Sequence, residues 1–287
     1  MPRQLRLLGA LLFLGSQIAT AGFQLRIPFR GVSESATVAR PALREFTTSF
    51  EDVSDFDGFY IVPPGEYDSR HAQSTENVRT GHYSHKAWIT QARGSSNDSP
   101  VYSPHRAYPT VQLHKTAGGS FSSRSLVTVW VFLDINLVDR PAGDIDDWFS
   151  FATLTPDASD AWSRTVLVNI VHDGYARLVH VPNQGEQEHL YQATAQTDTD
   201  GSLAFPFNQW VRLDIYIDFS PTGGYAKVWQ NKRLVSHAHV NGGNGTLAQA
   251  HFGLYASAAI PSGQVYNDDL TIREVRSETE ALRYVNE

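Results

Sequence analysis

The stretch WVRLDIYID, Trp210–Asp218, alternates apolar and polar side chains over its whole length. Successive side chains of a β-strand point to opposite faces, so a period of two predicts a strand with one face in a core. The residues predicted to face that core are Val211, Leu213, Ile215 and Ile217.

Short β-branched or aromatic runs of the same kind recur along the chain and are separated by turn residues. They include Ser125–Leu133, Trp148–Leu154, Arg164–His172 and Gly224–Gln230. Helical periodicity is confined to residues 277–287, which predict a short C-terminal helix or tail. Many short strands with regularly spaced turns indicate an all-β fold, either a sandwich of two antiparallel sheets or a closed barrel.

The organisation along the chain is that of one domain. No linker divides residues 46–276, so these form the predicted β-domain, and residues 22–45 form an extended leader before it.

The first residues have the three parts of a secretory signal peptide. Arg3 and Arg6 precede the apolar run Leu7–Leu14, and the small-x-small site Ala19–Ala21 follows. This layout predicts a signal peptide over residues 1–21 and a secreted or periplasmic protein; the alternative is a buried N-terminal helix. The apolar run is shorter than the roughly 20 residues that a membrane span needs, and no later segment is apolar enough, so no membrane span is expected.

Composition narrows the function classes. The chain has no cysteine, so disulfides cannot stabilise an exported fold and packing or a metal must do so. The net charge of −7 argues against a nucleic-acid partner, which selects a basic surface. Six tryptophans and twelve tyrosines supply the flat faces that sugar-binding surfaces use, and a local cluster of cations can bind an anionic glycan on an acidic protein.

Several short motifs resemble the concanavalin A-like jelly rolls of polysaccharide lyases, including the heparin lyase I and alginate lyase families. Asn208–Leu213 followed by Gly224–Asn231 is similar to the pattern W-x-x-φ … G-x-φ-x-V-W-x-N, where φ is apolar. His251–Tyr255 resembles the F-K-x-G-x-Y strand, Val265–Leu270 the closing strand, and Phe50-Glu51 the opening of such modules. The resemblance implies a two-sheet antiparallel jelly-roll sandwich.

The resemblance also implies a chemistry. Such lyases neutralise a uronate carboxylate, abstract the C5 proton and protonate the leaving oxygen. Arg106, His114 and Tyr255 are the implied catalytic residues, on the condition that all three line one groove. The alternatives are that Arg106 and His114 are ordinary outward residues and that Tyr255 packs in the core or stacks on sugar.

One expected motif is displaced. The resemblance implies a Gln-x-His pair on the strand after Val127–Leu133, but Trp148–Thr153 there contains neither residue. A Gln-x-His does occur earlier, at Gln112 and His114. The lyase machinery is therefore incomplete or rebuilt from other residues.

Further site residues follow from the same expectation of a sugar-binding sheet face. Tyr108, Gln112 and Trp130 are predicted substrate contacts, with Trp130 alternatively in the core. The fold class further implies a structural calcium ion between the first and last strands, with Glu51, Asp268 and Asp269 as ligands, because calcium takes six to eight oxygens. The alternative is that Asp268 and Asp269 only flank an edge strand.

Three functions are compatible with the sequence. The first is an exported polysaccharide-binding protein, and the second is a lyase that cleaves a uronate polymer by β-elimination. The third is a structural or adhesive protein that self-assembles through residues 22–44, since an extended segment can add to a neighbour's sheet edge. That segment has the alternating residues Phe23, Leu25, Ile27 and Phe29.

Overall fold

The computed structural model describes residues 42–93, 103–141, 146–181 and 189–287. Residues 42–287 cluster as one compact unit. The predicted signal peptide, residues 1–21, lies outside the described residues, as does the predicted assembly segment 22–44 up to residue 41.

Nearly all regular structure in the described ranges is β-strand. In chain order the strands are β1 (Glu45–Thr48), β2 (Tyr60–Ile61), β3 (Ser69–Ser74), β4 (Ser84–Ile89), β5 (His105–Ala107), β6 (Pro109–Val111), β7 (Phe121–Ser122), β8 (Arg124–Ile135), β9 (Trp148–Thr155), β10 (Thr165–Val171), β11 (Arg177–Val181), β12 (His189–Gln192), β13 (Trp210–Asp218), β14 (Gly224–Gln230), β15 (Arg233–Val240), β16 (Thr246–Leu247), β17 (Gln249–Ala256) and β18 (Gly263–Glu274). Three short 3₁₀ helices, Val53–Phe56, Glu66–Asp68 and Leu113–Lys115, and one α-helix, α1 (Glu278–Asn286), complete the elements.

The strands form two large antiparallel sheets. The nine-stranded sheet has the order β12-β15-β14-β13-β8-β18-β4-β3, with β1 paired to β18. The seven-stranded sheet has the order β11-β10-β9-β17-β6-β2, with β5 paired to β17, and β16 and β7 form a small third sheet. Hairpin neighbours such as β13 and β14 alternate with neighbours that are distant in sequence, such as β8 with β18 and β9 with β17, and the topology is the predicted jelly-roll sandwich.

The core lies between the two large sheets. The odd-numbered residues of β13 are buried there, as the alternation predicts, together with side chains from the seven-stranded sheet such as Phe149, Phe151 and Phe252. Each sheet therefore keeps one face for the core and one face for other contacts.

The outer face of β13 is also covered, which the alternation does not predict. Asp214, Tyr216 and Asp218 are buried although they point away from the core. Ala281 and Val285 of α1 pack on this face in a second apolar cluster that contains Tyr216. The C-terminal helix thus covers the back of the nine-stranded sheet and lies away from the outer face of the other sheet.

No helix within the described ranges is long and apolar enough to cross a membrane.

Candidate functional site

A cleft of about 570 Å³ lies on the outer face of the seven-stranded sheet. Strands β2, β5, β6, β9, β10 and β17 contribute to it, and so does the loop between β9 and β10. The cleft is lined by Tyr60, Arg106, Tyr108, Thr110, Gln112, Thr153, Asp160, Ala161, Trp162, Thr165, Leu167, Gln249, His251 and Tyr255.

The floor of the cleft is a buried polar row that crosses three strands. His251 on β17 lies opposite Thr110 on β6 and opposite Thr153 on β9. Within the described part of the chain, both hydroxyl oxygens and both imidazole nitrogens of this row lack a hydrogen-bond partner. Buried polar atoms in folded proteins almost always have partners, so an unpaired row is typical of a site that a ligand or water completes.

The local sequence explains how this row forms. Gln249, His251 and Tyr255 alternate with core residues of β17, so the period of two brings all three to the cleft side. Gly253 has a φ of 125°, and a Cβ atom there would lie 2.8 Å from the Ala107 carbonyl oxygen. Only glycine therefore lets β17 approach the neighbouring chain this closely.

Aromatic rings form the walls around His251. The Tyr108 ring stacks on the imidazole with centroids 3.8 Å apart and planes at 17°. The Trp162 ring belongs to the loop between β9 and β10, and its centroid lies 4.9 Å from that of the imidazole. The Tyr255 ring meets the imidazole edge-on, with centroids 5.7 Å apart. The rings leave His251 only 5% exposed.

The charged side chains of the cleft lining are Arg106 and the exposed Asp160, and the aromatic rings beside them are neutral. The Arg106 guanidinium carbon lies 5.6 Å from the Tyr255 ring centroid and 5.0 Å from that of Tyr67. Among the described residues Arg106 forms no ion pair, and its buried Nε has no hydrogen-bond partner. Burial, aided by the charge of Arg106, lowers the pKa of His251 to about 3, so this imidazole is neutral at pH 7. Burial also raises the pKa of Tyr108, which keeps its phenol protonated.

Four of the six predicted catalytic and substrate-contact residues line this cleft: Arg106, Tyr108, Gln112 and Tyr255. They come from β5, from β17 and from the segment around β6, which the pairing of β17 with β5 and β6 brings together.

His114, predicted to share the groove, is not among the residues that line this cleft. Strand β6 ends at Val111, and His114 lies in the 3₁₀ helix Leu113–Lys115, where its Nδ1 contacts the Ala248 carbonyl oxygen at 3.3 Å. Because the alternation of a strand stops where the helix begins, His114 no longer follows the face of Thr110.

Trp130 is also away from the cleft. It lies on the outer face of β8 in the nine-stranded sheet, half-buried, with the Arg79 guanidinium carbon 4.2 Å from its ring centroid. Trp130 therefore does not lie in the core, which was the alternative position. It does not line the cleft either, because the outer faces of the two sheets point in opposite directions.

A second Gln-x-His pair, at Gln249 and His251, lies on the same strand as Tyr255 and was not predicted from the sequence. The resemblance places such a pair in Trp148–Thr153, and His251 lies directly opposite Thr153 of that segment. The available signal was the period of two through Gln249, His251 and Tyr255. Trp162 was not predicted either, because no sequence motif marks it.

The predicted calcium ligand Glu51 binds a loop near the closing strand. Its Oε1 accepts hydrogen bonds from the backbone amides of His82 and Tyr83 at 2.9 and 3.0 Å. Gly81 has a φ of 69°, and a Cβ there would lie 2.2 Å from Glu51 Oε1, so the loop cradles the carboxylate closely.

The other two predicted ligands hold the same loop from β18. Asp268 Oδ2 accepts from the amides of Arg79 and Thr80, and Asp269 Oδ1 accepts from the Thr80 hydroxyl at 2.7 Å. Burial raises the pKa of Asp268 to about 6. In the described ranges no group of three or more His, Asp or Glu residues could hold a metal, so an ion here would need carbonyl oxygens besides Glu51 and Asp268.

Comparisons with known proteins bear on the fold. The cellulose-induced protein Cip1 is similar with a TM-score of 0.53 and 14% identity, covering 80% of this chain and 98% of that one. An endo-β-1,4-glucuronan lyase from the fungus Trichoderma reesei has a TM-score of 0.49 and 13% identity, covering 83% of this chain and 98% of that one. No protein-family model and no curated protein sequence matches the chain. The chain therefore shares with Cip1 an all-β jelly-roll fold.

Proposed function

We propose that this protein is exported and binds an acidic polysaccharide, one that contains uronate residues, in the cleft of the seven-stranded sheet. The observation that carries the proposal is the Arg106 guanidinium, which has no ion pair among the described residues and lies in a cleft with aromatic walls and an unpaired polar floor.

Each part of the cleft suits one part of such a sugar. Tyr108, Trp162 and Tyr255 offer ring faces and edges for the apolar faces of a pyranose. The guanidinium of Arg106 matches a carboxylate in shape and charge and forms two parallel hydrogen bonds with it. A neutral glycan would leave this cation without its partner.

Titration calorimetry with a matched pair of ligands tests the proposal. β-1,4-linked glucose oligosaccharides and β-1,4-linked glucuronate oligosaccharides of equal length differ only in the oxidation state of C6. We expect binding of the glucuronate series and at least tenfold weaker binding of the glucose series, a difference of about 1.4 kcal/mol. Equal affinity for both, or binding of neither glucuronate nor other uronate chains, would refute the proposal.

A second candidate function, cleavage of the bound polymer by β-elimination, is favoured by the position of Tyr255. Its half-exposed ring lies beside Arg106, whereas His251 lies behind the rings. Arg106 would hold the uronate carboxylate, and the Tyr255 oxygen would accept the C5 proton. The electron pair of the C5–H bond would form the C4=C5 double bond as the C4–O bond breaks, and Tyr255 would then give a proton to the leaving oxygen.

Ultraviolet absorbance of the unsaturated uronate product measures this reaction directly. We expect the absorbance to rise with time for the wild-type protein and not for the Tyr255→Phe variant, while calorimetry shows that the variant still binds. Full activity of Tyr255→Phe would remove Tyr255 from the mechanism, and the absence of product from all uronate polymers would leave binding alone.

A further inference from the structure

We propose that Gln112 and Gln249 form a hydrogen-bonded strut that fixes the separation of the two cleft walls. This strut makes Trp162 the residue that limits which sugar chain enters. The role of Trp162 toward sugar rests on the proposed function, whereas the strut is a property of the protein alone.

The strut is a continuous series of hydrogen bonds beneath the cleft. The amide of Tyr60, on one wall, donates to Gln112 Oε1 at 3.1 Å, and Gln112 Nε2 donates to Gln249 Oε1 at 3.1 Å. Gln249 Nε2 then donates to the carbonyl oxygens of Asp157 and Ser159, at 2.8 and 2.9 Å, on the other wall. The two glutamines are 4% and 1% exposed, so they are part of the wall and not of the ligand surface.

The second wall is the arm formed by residues 156–164, and its conformation is held in several places. The Asp157 carboxylate accepts from the amides of Ser159 and Ser163 at 2.8 and 2.9 Å. Trp162 and Arg164 have φ values of 50° and 60°, in the left-handed region that costs energy for residues other than glycine. Such a conformation persists only where the surroundings determine it, and the strut supplies contacts to the start of the arm.

Trp162 is the point at which this arm meets the cleft. Its half-buried ring covers His251 at 4.9 Å, and the exposed Asp160 lies beside it in the lining. Because the carbonyls that Gln249 binds lie three and five residues before Trp162, loss of the strut releases the arm and displaces the ring. The strut thus positions Trp162, and Trp162 excludes sugar chains that are too bulky for the cleft.

A fluorescence experiment tests the strut without any ligand. The variants are Gln249→Leu, Gln112→Leu and the double variant. Each is also made with Trp162→Phe, and subtracting the emission of the protein without Trp162 from that of the protein with it gives the emission of Trp162. The matched control is Gln230→Leu, since Gln230 is equally buried and its Nε2 also donates to two carbonyls, those of Leu203 and Ala204.

We expect acrylamide to quench Trp162 more strongly in Gln249→Leu than in the wild type and to leave Gln230→Leu unchanged. The double variant should match Gln249→Leu, because two residues in one series of hydrogen bonds are not additive. Unchanged quenching in Gln249→Leu would overturn the strut, and so would equal quenching in the Gln230→Leu control.

Calorimetry with unsubstituted and O-acetylated uronate oligosaccharides tests the role of Trp162. We expect Gln249→Leu to bind the unsubstituted chain about tenfold more weakly and to lose most of its preference over the acetylated chain. An unchanged preference in Gln249→Leu and in Trp162→Phe would overturn this role. If the wild type binds no uronate chain, the proposed function fails while the fluorescence result still decides the strut.

Discussion

At the scale of single residues, the neighbours of Arg106 decide what the cleft can bind. Most arginines in the described ranges have a carboxylate partner, as Arg212 has Asp214 and Arg140 has Asp147. Arg106 instead lies over the rings of Tyr67 and Tyr255. Contact with ring faces stabilises the cation without neutralising it, so its charge remains available to an anionic ligand.

Replacement of Arg106 by lysine should separate charge from shape. Lysine keeps the charge but lacks the planar fork, so we expect Arg106→Lys to bind glucuronate oligosaccharides about tenfold more weakly. Calorimetry against Arg124→Lys, which changes an arginine outside the cleft lining, is the check. Equal affinities of the two variants would show that the fork of Arg106 does not contact the ligand.

His251 should make the protein sensitive to acid. Its pKa is lowered to about 3 in the folded state, chiefly by burial, whereas an exposed histidine titrates near 6.5. Between pH 6.5 and pH 3 the unfolded chain therefore binds a proton at His251, whereas the folded protein does not. The free energy of unfolding falls as the pH drops from 6.5 toward 3, by up to about 1.4 kcal/mol per pH unit from this residue.

Urea unfolding at pH 7 and pH 5 measures this term. We expect the free energy of unfolding to fall from pH 7 to pH 5 in the wild type, and to fall by roughly 1–2 kcal/mol less in His251→Phe. His82→Phe, at an exposed position, should behave like the wild type. If His251→Phe keeps the wild-type pH dependence, then burial does not hold the imidazole neutral.

At the scale of elements, the sequence predicts strands better than it predicts their partners. The alternation in Trp210–Asp218 correctly predicted β13 and its core face, because the period of a strand is a local property. The burial of Tyr216 depends on α1, about sixty positions later, and no local pattern contains that contact. The same limit applies to the cleft: the pairing of β17 with β9 brings His251 to Thr153 across about a hundred residues.

The packing of α1 on the outer face of β13 can be tested by truncating one buried side chain. Val285 is buried in the apolar cluster that contains Tyr216 and Trp229, so we expect Val285→Ala to lower the free energy of unfolding by about 1–3 kcal/mol. Arg283→Ala, on the exposed side of the same helix, should cost little. Equal stabilities in chemical denaturation would mean that α1 does not hold the outer face.

At the scale of the whole molecule, the loop of residues 79–83 links the two ends of the β-domain. Its backbone amides donate hydrogen bonds to Glu51, just after β1, and to Asp268 on the last strand, β18. We propose that a structural calcium ion binds there, with these two carboxylates and nearby carbonyl oxygens as ligands. Calcium in excess should raise the melting temperature, and EDTA should reverse the change. Asp268→Asn should abolish the effect; a melting temperature that calcium leaves unchanged in the wild type would refute the site.

Self-assembly through residues 22–44 stays a prediction. Size-exclusion chromatography of the chain from residue 22, compared with a chain from residue 42, is the measurement. We expect a concentration-dependent larger species for the longer chain only. A single monomer peak for both chains at all concentrations would exclude assembly by this segment.

The position of α1 on the back of the nine-stranded sheet has a practical consequence. The last residue of the chain leaves from this helix, and the cleft opens on the outer side of the opposite sheet. A support or dye attached to an exposed residue of α1, such as Arg283, therefore stands on the far side from the cleft. Immobilisation through this helix presents every molecule with its groove toward the solution.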